Sequence, residues 1–241
     1  MLRNDLIGFG LFIGYFIVAG APLILLKAYH KTPFEVTRKL YHFVIVLSIF
    51  PLLKLFSAWY AAALASLTFT LIVYPILALV EHSAFYKRIA VEREEGEFRS
   101  SFIIVQLSLA TLIFIFWGLL GIDWQYVAVV AVMAWGFGDA AAALVGKALG
   151  RRKISHPRIT GTKTVEGTLA MVVVAGLSIF LTLLIYAGQP WYVGFTVAAL
   201  VAPVCAVVEL FSPRGMDTIT VPLSAAFAIL PLMSLFSFLG V

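Results

Sequence analysis

The chain has 241 residues, of which 62% are hydrophobic and only 12% are charged. In soluble domains about a quarter of the residues are charged, so this composition excludes an ordinary soluble protein and predicts an integral membrane protein. The net charge of +5 does not indicate nucleic-acid binding, because the basic residues are confined to segments between apolar runs, where they set membrane orientation.

In chain order, the apolar runs predict eight membrane-spanning helices. Six runs have the length that one crossing needs, about 20 residues: residues 6–26, 102–120, 124–145, 168–186, 191–210 and 221–239. The run 40–80 is too long for one crossing, and Lys54, Ser57 and Trp59 mark a turn within it, so we divide it in two. We expect an all-α bundle that forms a single domain over residues 1–241.

The basic residues predict how the helices are oriented. With eight crossings, segments 27–39, 81–101, 146–167 and 211–220 emerge on one side, and they hold every Lys and Arg except Arg3 and Lys54. The positive-inside rule makes this side cytoplasmic and places both termini outside. In a prokaryote the membrane would be the plasma or inner membrane.

Two polar groups precede the fourth span. Glu35, Arg38, Lys39 and His42 share roughly one helical face, where His42 could move a proton or the group could simply anchor the helix at the headgroups. Residues 92–99, in which four glutamates alternate with Arg93 and Arg99, read as a solvated, charge-balanced loop.

Asp139 lies in the inner half of the fifth span, where a carboxylate costs roughly 2.5 to 3.5 kcal/mol at the membrane centre. Helix geometry places it on a face of small residues: Gly136, Ala142, Ala143, Gly146 and Gly150. This face predicts either close helix packing or a groove for a ligand or metal.

The loop 146–167 is rich in cations and glycines. Its basic residues are Lys147, Arg151, Arg152, Lys153, Arg158 and Lys163. Cations and exposed backbone amides suit a polyphosphate, although the Walker order is absent. Glu166 favours this interpretation over a loop that only sets topology, because Mg²⁺ on phosphates needs one or two carboxylates.

The last loop adds two acids. Glu209 lies near the end of an apolar span, so its burial predicts a cation or a basic side chain as partner. Asp217 could cap the next helix. Cys205, the single cysteine, is expected to be a small buried hydrophobe.

Together these segments resemble a known family. GDAAAALVGKALGRRK followed by KTVEGTLA, with RKLYH upstream and ELFSPRGMDTITVPL downstream, is similar to the polyprenol, phytol and dolichol kinases. These are related to CTP-dependent diacylglycerol kinases and, more distantly, to phosphatidate cytidylyltransferases. Thr218 departs from the family, in which Asn is expected.

The resemblance implies a CTP-dependent kinase that phosphorylates a membrane lipid alcohol with Mg²⁺, with loop 146–167 as the nucleotide-binding element. The predicted catalytic residues are Asp139 and Lys163, with His42 as a candidate base. The resemblance implies Lys147, Lys163, Thr164, Gly167 and Thr220 as nucleotide-binding residues, and the basic, glycine-rich loop adds Gly146, Arg151 and Arg152. The implied metal ligands are Asp139, Glu166, Glu209 and Asp217.

Three other functions stay open. A cytidylyltransferase would use much of the same site, a transporter or flippase would use Asp139 and Glu209 as ion sites, and a structural subunit would use neither. The sequence does not decide which alcohol is used, whether CTP is preferred, or whether the protein is a monomer or a homo-oligomer.

Overall fold

The computed structural model describes residues 2–30, 32–91, 96–159, 161–213 and 215–240. The contacts divide the chain into two compact units, Met1–Gly121 and Ile122–Val241. The helices of the first unit are α1 (Leu2–Tyr29), α2 (Phe34–Leu47), α3 (Ile49–Lys54), α4 (Trp59–Val80), α5 (Ala84–Ile89) and α6 (Glu97–Ile113). Helix α6 continues as one π-helical segment, Phe114–Leu119.

The second unit begins with a short 3₁₀ turn, Ile122–Trp124. Its elements are α7 (Gln125–Leu149), β1 (Lys153–Ile154), β2 (Lys163–Thr164), α8 (Val165–Leu181), α9 (Trp191–Phe211) and α10 (Asp217–Phe238). A π-helical segment, Thr182–Tyr186, extends α8.

The prediction of an all-α protein with eight membrane spans is confirmed for the described residues. The helices long and apolar enough to cross a bilayer are Arg3–Tyr29, Phe34–Lys54, Trp59–Val80, Glu97–Leu119, Ile122–Leu149, Val165–Tyr186, Trp191–Phe211 and Asp217–Phe238. The break predicted inside 40–80 is present between Lys54 and Trp59. The chain is therefore an integral membrane protein, whereas the location of its termini stays a prediction.

Several membrane spans begin earlier in the structure than the apolar runs predict, among them the second, fourth and eighth. The second begins at Phe34 and the eighth at Asp217, because polar residues in a first helical turn reach toward water while the backbone is already helical. Glu35 accepts a hydrogen bond from Arg38 Nη2 at 2.9 Å. Lys39 is only 2% exposed, so headgroup anchoring is the wrong interpretation for that side chain.

In the first unit, aromatic rings fill the core. Phe12 is fully buried and contacts Phe69 edge-on with ring centroids 5.4 Å apart, while Phe16 stacks on Phe69 at 4.2 Å. Helices α4 and α6 are joined by a buried hydrogen bond of 2.6 Å from Ser66 Oγ to Gln106 Oε1. Such bonds between side chains hold helices together where no water competes.

The predicted solvated loop is wrong for Arg99. This side chain donates to Glu81 Oε2 at 2.8 Å and lies over the ring of Tyr74, 5.7 Å from its centroid. Arg99 therefore joins the ends of α4 and α6. Residues 92–95 of the same loop lie outside the described residues.

In the second unit, α7 packs against α8 and α10, and α9 packs against the same two helices. Helices α7 and α9 also touch each other, so the four spans form one packed group. Cys205 is buried in α9, as expected of a small hydrophobe.

Candidate nucleotide site at the α7–α8 junction

Helices α7 and α8 approach closely because small residues spaced by four follow one side of α7. These residues are Gly138, Ala142, Gly146 and Gly150. A Cβ atom added at Gly138 would lie 2.6 Å from the sulfur of Met171, and one added at Gly146 would lie 3.1 Å from Thr164 Oγ1. The strip is filled by α8, so it is a packing surface of the small-xxx-small kind and not a ligand groove.

Three residues of the predicted face of α7, Ala142, Gly146 and Gly150, belong to this strip, so the packing interpretation holds for them. The contacting strip begins at Gly138, and Asp139 lies one residue later, about 100° farther around the helix. Asp139 is half-buried and lies beside the strip instead of heading it. Close packing against α8 therefore explains why the glycines are present, but it does not explain why Asp139 is present.

After α7 the chain folds into a small antiparallel ribbon. Lys153 pairs with Thr164 and Ile154 pairs with Lys163, and the Val165 N–H donates to the Arg152 carbonyl at 2.9 Å. Because β2 runs directly into α8, the ribbon holds Arg152 against the start of that helix.

Thr164 caps the start of α8, and Glu166 joins that start to the ribbon. Thr164 Oγ1 accepts the Gly167 N–H at 3.2 Å, which satisfies one of the helix's free backbone donors. The Glu166 carboxylate accepts the Arg152 N–H at 3.3 Å. An acid in the first turn also interacts favourably with the helix dipole, so Glu166 has a structural role besides the predicted metal binding.

Lys163 and Glu209 form a partly buried ion pair. Lys163 Nζ donates to Glu209 Oε1 and lies 3.4 Å from the Glu209 carbonyl oxygen. Glu209 is 4% exposed, whereas the Lys163 side chain is 26% exposed. The partner that the burial of Glu209 predicted is therefore a basic side chain, contributed by the ribbon 46 residues earlier.

A second contact links the ribbon loop to the end of α9. The His156 ring meets Phe211 edge-on with centroids 5.6 Å apart. His156 also closes a turn, since its carbonyl accepts the Ile159 N–H at 3.0 Å and its Nδ1 accepts the Arg158 N–H at 3.2 Å. His156 is not predicted from the sequence, because no local pattern indicates its distant aromatic partner.

The last loop joins α9 to α10 through hydroxyl groups. Ser212 Oγ and Thr220 Oγ1 are 2.6 Å apart, and Gly215 takes a left-handed conformation with φ of 76°. Asp217 is the first residue of α10 and follows the N-cap residue Met216, so its carboxylate lies in the first turn of that helix. Arg214, in the same loop, lies outside the described residues.

The structure brings the predicted nucleotide-binding residues together only in part. It joins Gly146 and Gly167 to Thr164, Arg152 to Glu166, and Lys163 to Glu209. Lys147 and Arg151 are exposed, and Asp217 and Thr220 are half-buried at the start of α10. His42 belongs to the first unit.

The carboxylates do not form a preassembled metal cage. Among the described residues, no three His, Cys, Asp or Glu side chains are grouped so that they could hold an ion. Mg²⁺ usually keeps several waters and binds through one or two carboxylates together with substrate phosphates, so a cage is not required. The hard oxygen donors of Asp139, Glu166 and Asp217 suit that ion.

Comparison with known proteins identifies the family. No protein-family model matches the chain. The phytol kinase of Synechocystis sp. is 32% identical over 216 residues, which cover 84% of this chain and 81% of that protein. The chain belongs to the phytol kinase family. A match of this extent includes parts of both compact units, so the family relationship is not confined to the ribbon and its neighbouring helices.

Proposed function

We propose that this member of the phytol kinase family transfers the terminal phosphoryl group of CTP to the hydroxyl group of a membrane isoprenoid alcohol. Phytol, geranylgeraniol and a polyprenol are the candidate acceptors. The observation that carries the proposal is the identity to a phytol kinase along most of both chains. The basic ribbon at the start of α8 supports it, because phosphoryl transfer depends on positioning and charge neutralisation.

The triphosphate would bind where the ribbon meets α8. Lys163 offers an ammonium group, and Arg151 and Arg152 offer guanidinium groups on the exposed side of the ribbon. Lys147, in the last turn of α7, adds a fourth cation. The positive end of the α8 dipole favours an anion at the same place.

Asp139, together with Asp217 or Glu166, would hold Mg²⁺. When bound, the ion would neutralise charge on the phosphate oxygens during transfer. Asp139 lies ten residues before the end of α7, which places it about 15 Å along the helix axis from that end. A carboxylate at this depth suits an acceptor whose hydroxyl group enters from the bilayer.

The experiment that tests the proposal uses CTP labelled in its terminal phosphate, with purified protein and each candidate alcohol in lipid vesicles. We expect the label on the alcohol. Label in pyrophosphate together with a lipid-bound CMP would instead identify a cytidylyltransferase. Absence of nucleotide binding, with cation-dependent lipid or solute flux, would identify a transporter. Repeating the assay with ATP, GTP and UTP tests the nucleotide preference.

A further inference from the structure

We propose that Glu209 positions Lys163 for phosphate binding and is not a magnesium ligand. The inference rests on the proposed nucleotide-binding function of Lys163. It departs from the role that the family resemblance implies for Glu209, and it assigns the residue to a different step: fixing a cationic side chain before the nucleotide arrives.

The first argument is that the cation position beside Glu209 is already filled. Lys163 Nζ contacts both Oε1 and the backbone carbonyl oxygen of Glu209, so one residue holds the ammonium at two points. Glu209 is in the last turn of α9, which ends at Phe211, where the negative end of the helix dipole also attracts a cation. Three attractions therefore act on Lys163 at one place.

Burial makes this pair difficult to separate. Glu209 is 4% exposed, and an ionised carboxylate at that depth needs a partner within hydrogen-bonding distance. Removal of the Lys163 charge would leave the buried Glu209 carboxylate uncompensated, which is costly. Lys163 thus supplies the compensation that a metal ion would otherwise supply.

The geometry leaves Lys163 able to bind an anion. An ammonium group has three N–H donors, and two are directed toward Glu209. Among the described residues the structure gives Lys163 Nζ no further hydrogen-bond partner, and the side chain is 26% exposed. One donor is therefore available to a phosphate oxygen, at a position that Glu209 fixes.

The ribbon loop is docked at the same helix end by a second contact. His156 meets Phe211, two residues after Glu209. Two contacts from one loop to one helix turn orient the strand that carries Lys163. A positioning function for the end of α9 is consistent with both contacts, whereas metal binding at Glu209 would explain neither.

The test compares the wild type with Glu209→Gln, Lys163→Met and the double variant, each as a full-length protein in detergent. CTP binding is measured without magnesium and during a magnesium titration, and thermal unfolding is followed in parallel. We expect Glu209→Gln to weaken magnesium-free CTP binding on the order of tenfold, the scale of loss when a group that supports a ligand-binding residue is removed. The magnesium concentration at half-saturation should stay unchanged.

The double variant shows whether Glu209 acts on CTP binding by positioning Lys163 or independently of Lys163. If Glu209 acts through Lys163, Glu209→Gln has no additional effect on CTP binding in the Lys163→Met background. The double variant leaves no unpaired charge, so it should unfold at a higher temperature than either single variant. It therefore keeps the test possible if a single variant is unstable.

Two results would overturn the inference. One is a Glu209→Gln protein that needs more magnesium than the wild type; the other is an equal loss of CTP binding with and without Lys163. If wild-type protein binds no nucleotide at all, the proposed function itself fails, and that result differs from both of the others.

Discussion

Asp139 is the residue whose presence in a membrane helix most needs a chemical reason. Its neighbour Gly138 contacts α8 closely, with a built Cβ only 3.1 Å from Ala175, but this packing demands a small residue and not an acid. A carboxylate inside a membrane segment is costly and marks a functional site by default. The packing of α7 therefore does not account for Asp139.

We expect Asp139→Asn to abolish phosphoryl transfer, with a loss of at least about 100-fold, because the amide keeps the size of the side chain but removes the charge that would bind Mg²⁺. The measurement is transfer of label from the terminal phosphate of CTP to lipid alcohol.

The control for this variant is Asp123→Asn, an exposed acid in the 3₁₀ turn before the other end of α7. It should keep wild-type activity, and both proteins should unfold at the wild-type temperature. Normal turnover by a folded Asp139→Asn protein would end the proposed metal-binding role of Asp139.

At the scale of elements, the α7–α8 contact places the ribbon. A Cβ atom built on Gly167 would lie 2.8 Å from the Ala142 carbonyl oxygen and 3.2 Å from Gly146 Cα, and backbone atoms cannot yield as a flexible side chain does. Gly167 is thus required for the distance between the helices, whatever else it does for a nucleotide.

We expect Gly167→Ala to destabilise the protein by about 1 to 3 kcal/mol, the usual cost of overpacking, because the two helices must move apart. Thermal unfolding in detergent measures this change. Gly10→Ala is the matched control in α1, where a built Cβ meets nothing within 4 Å. If both variants unfold at the same temperature, the close contact between α7 and α8 does not limit stability.

Most of the fold is predictable from sequence because the bilayer imposes one strong pattern. Apolar runs of spanning length identify every span, and Lys54 with Trp59 identifies the break between the second and third. Hydropathy does not predict that the second and eighth spans begin at Phe34 and Asp217, because the first turns of these helices are polar. A hydropathy pattern detects only the part of a helix that lies within the apolar core of the bilayer.

The site is less predictable because its contacts join distant segments. The sequence indicates that Glu209 needs a partner, but it does not select Lys163 among the basic residues of the loop. Thr164 before an apolar run is typical of an N-cap, and that local signal was available. The packing of Thr164 against Gly146 and Gly150 depends on the distance between two helices, which no local pattern encodes.

At the scale of the whole molecule, the orientation of the chain in the membrane decides on which side the basic ribbon lies. Asp5 near the start of α1 accepts hydrogen bonds from Ser57 in the turn after α3, at 3.0 Å from N and 2.9 Å from Oγ. The N-terminus and this turn therefore lie at the same end of the first unit, as two successive crossings require. Which side of the membrane that is depends on the positive-inside rule.

Because Cys205 is the single cysteine and is buried, the orientation can be tested by adding one new cysteine at a time to a Cys205→Ser background. Ser155 is exposed in the basic ribbon, and Gln189 lies in the turn between the extension of α8 and α9. We expect a membrane-impermeant maleimide to label Gln189→Cys in intact cells and Ser155→Cys only after permeabilisation, because the positive-inside rule keeps the ribbon in the cytoplasm, where nucleoside triphosphates are available. Labelling of Ser155→Cys from outside would place the ribbon away from its proposed donor and would contradict both the orientation and the kinase function.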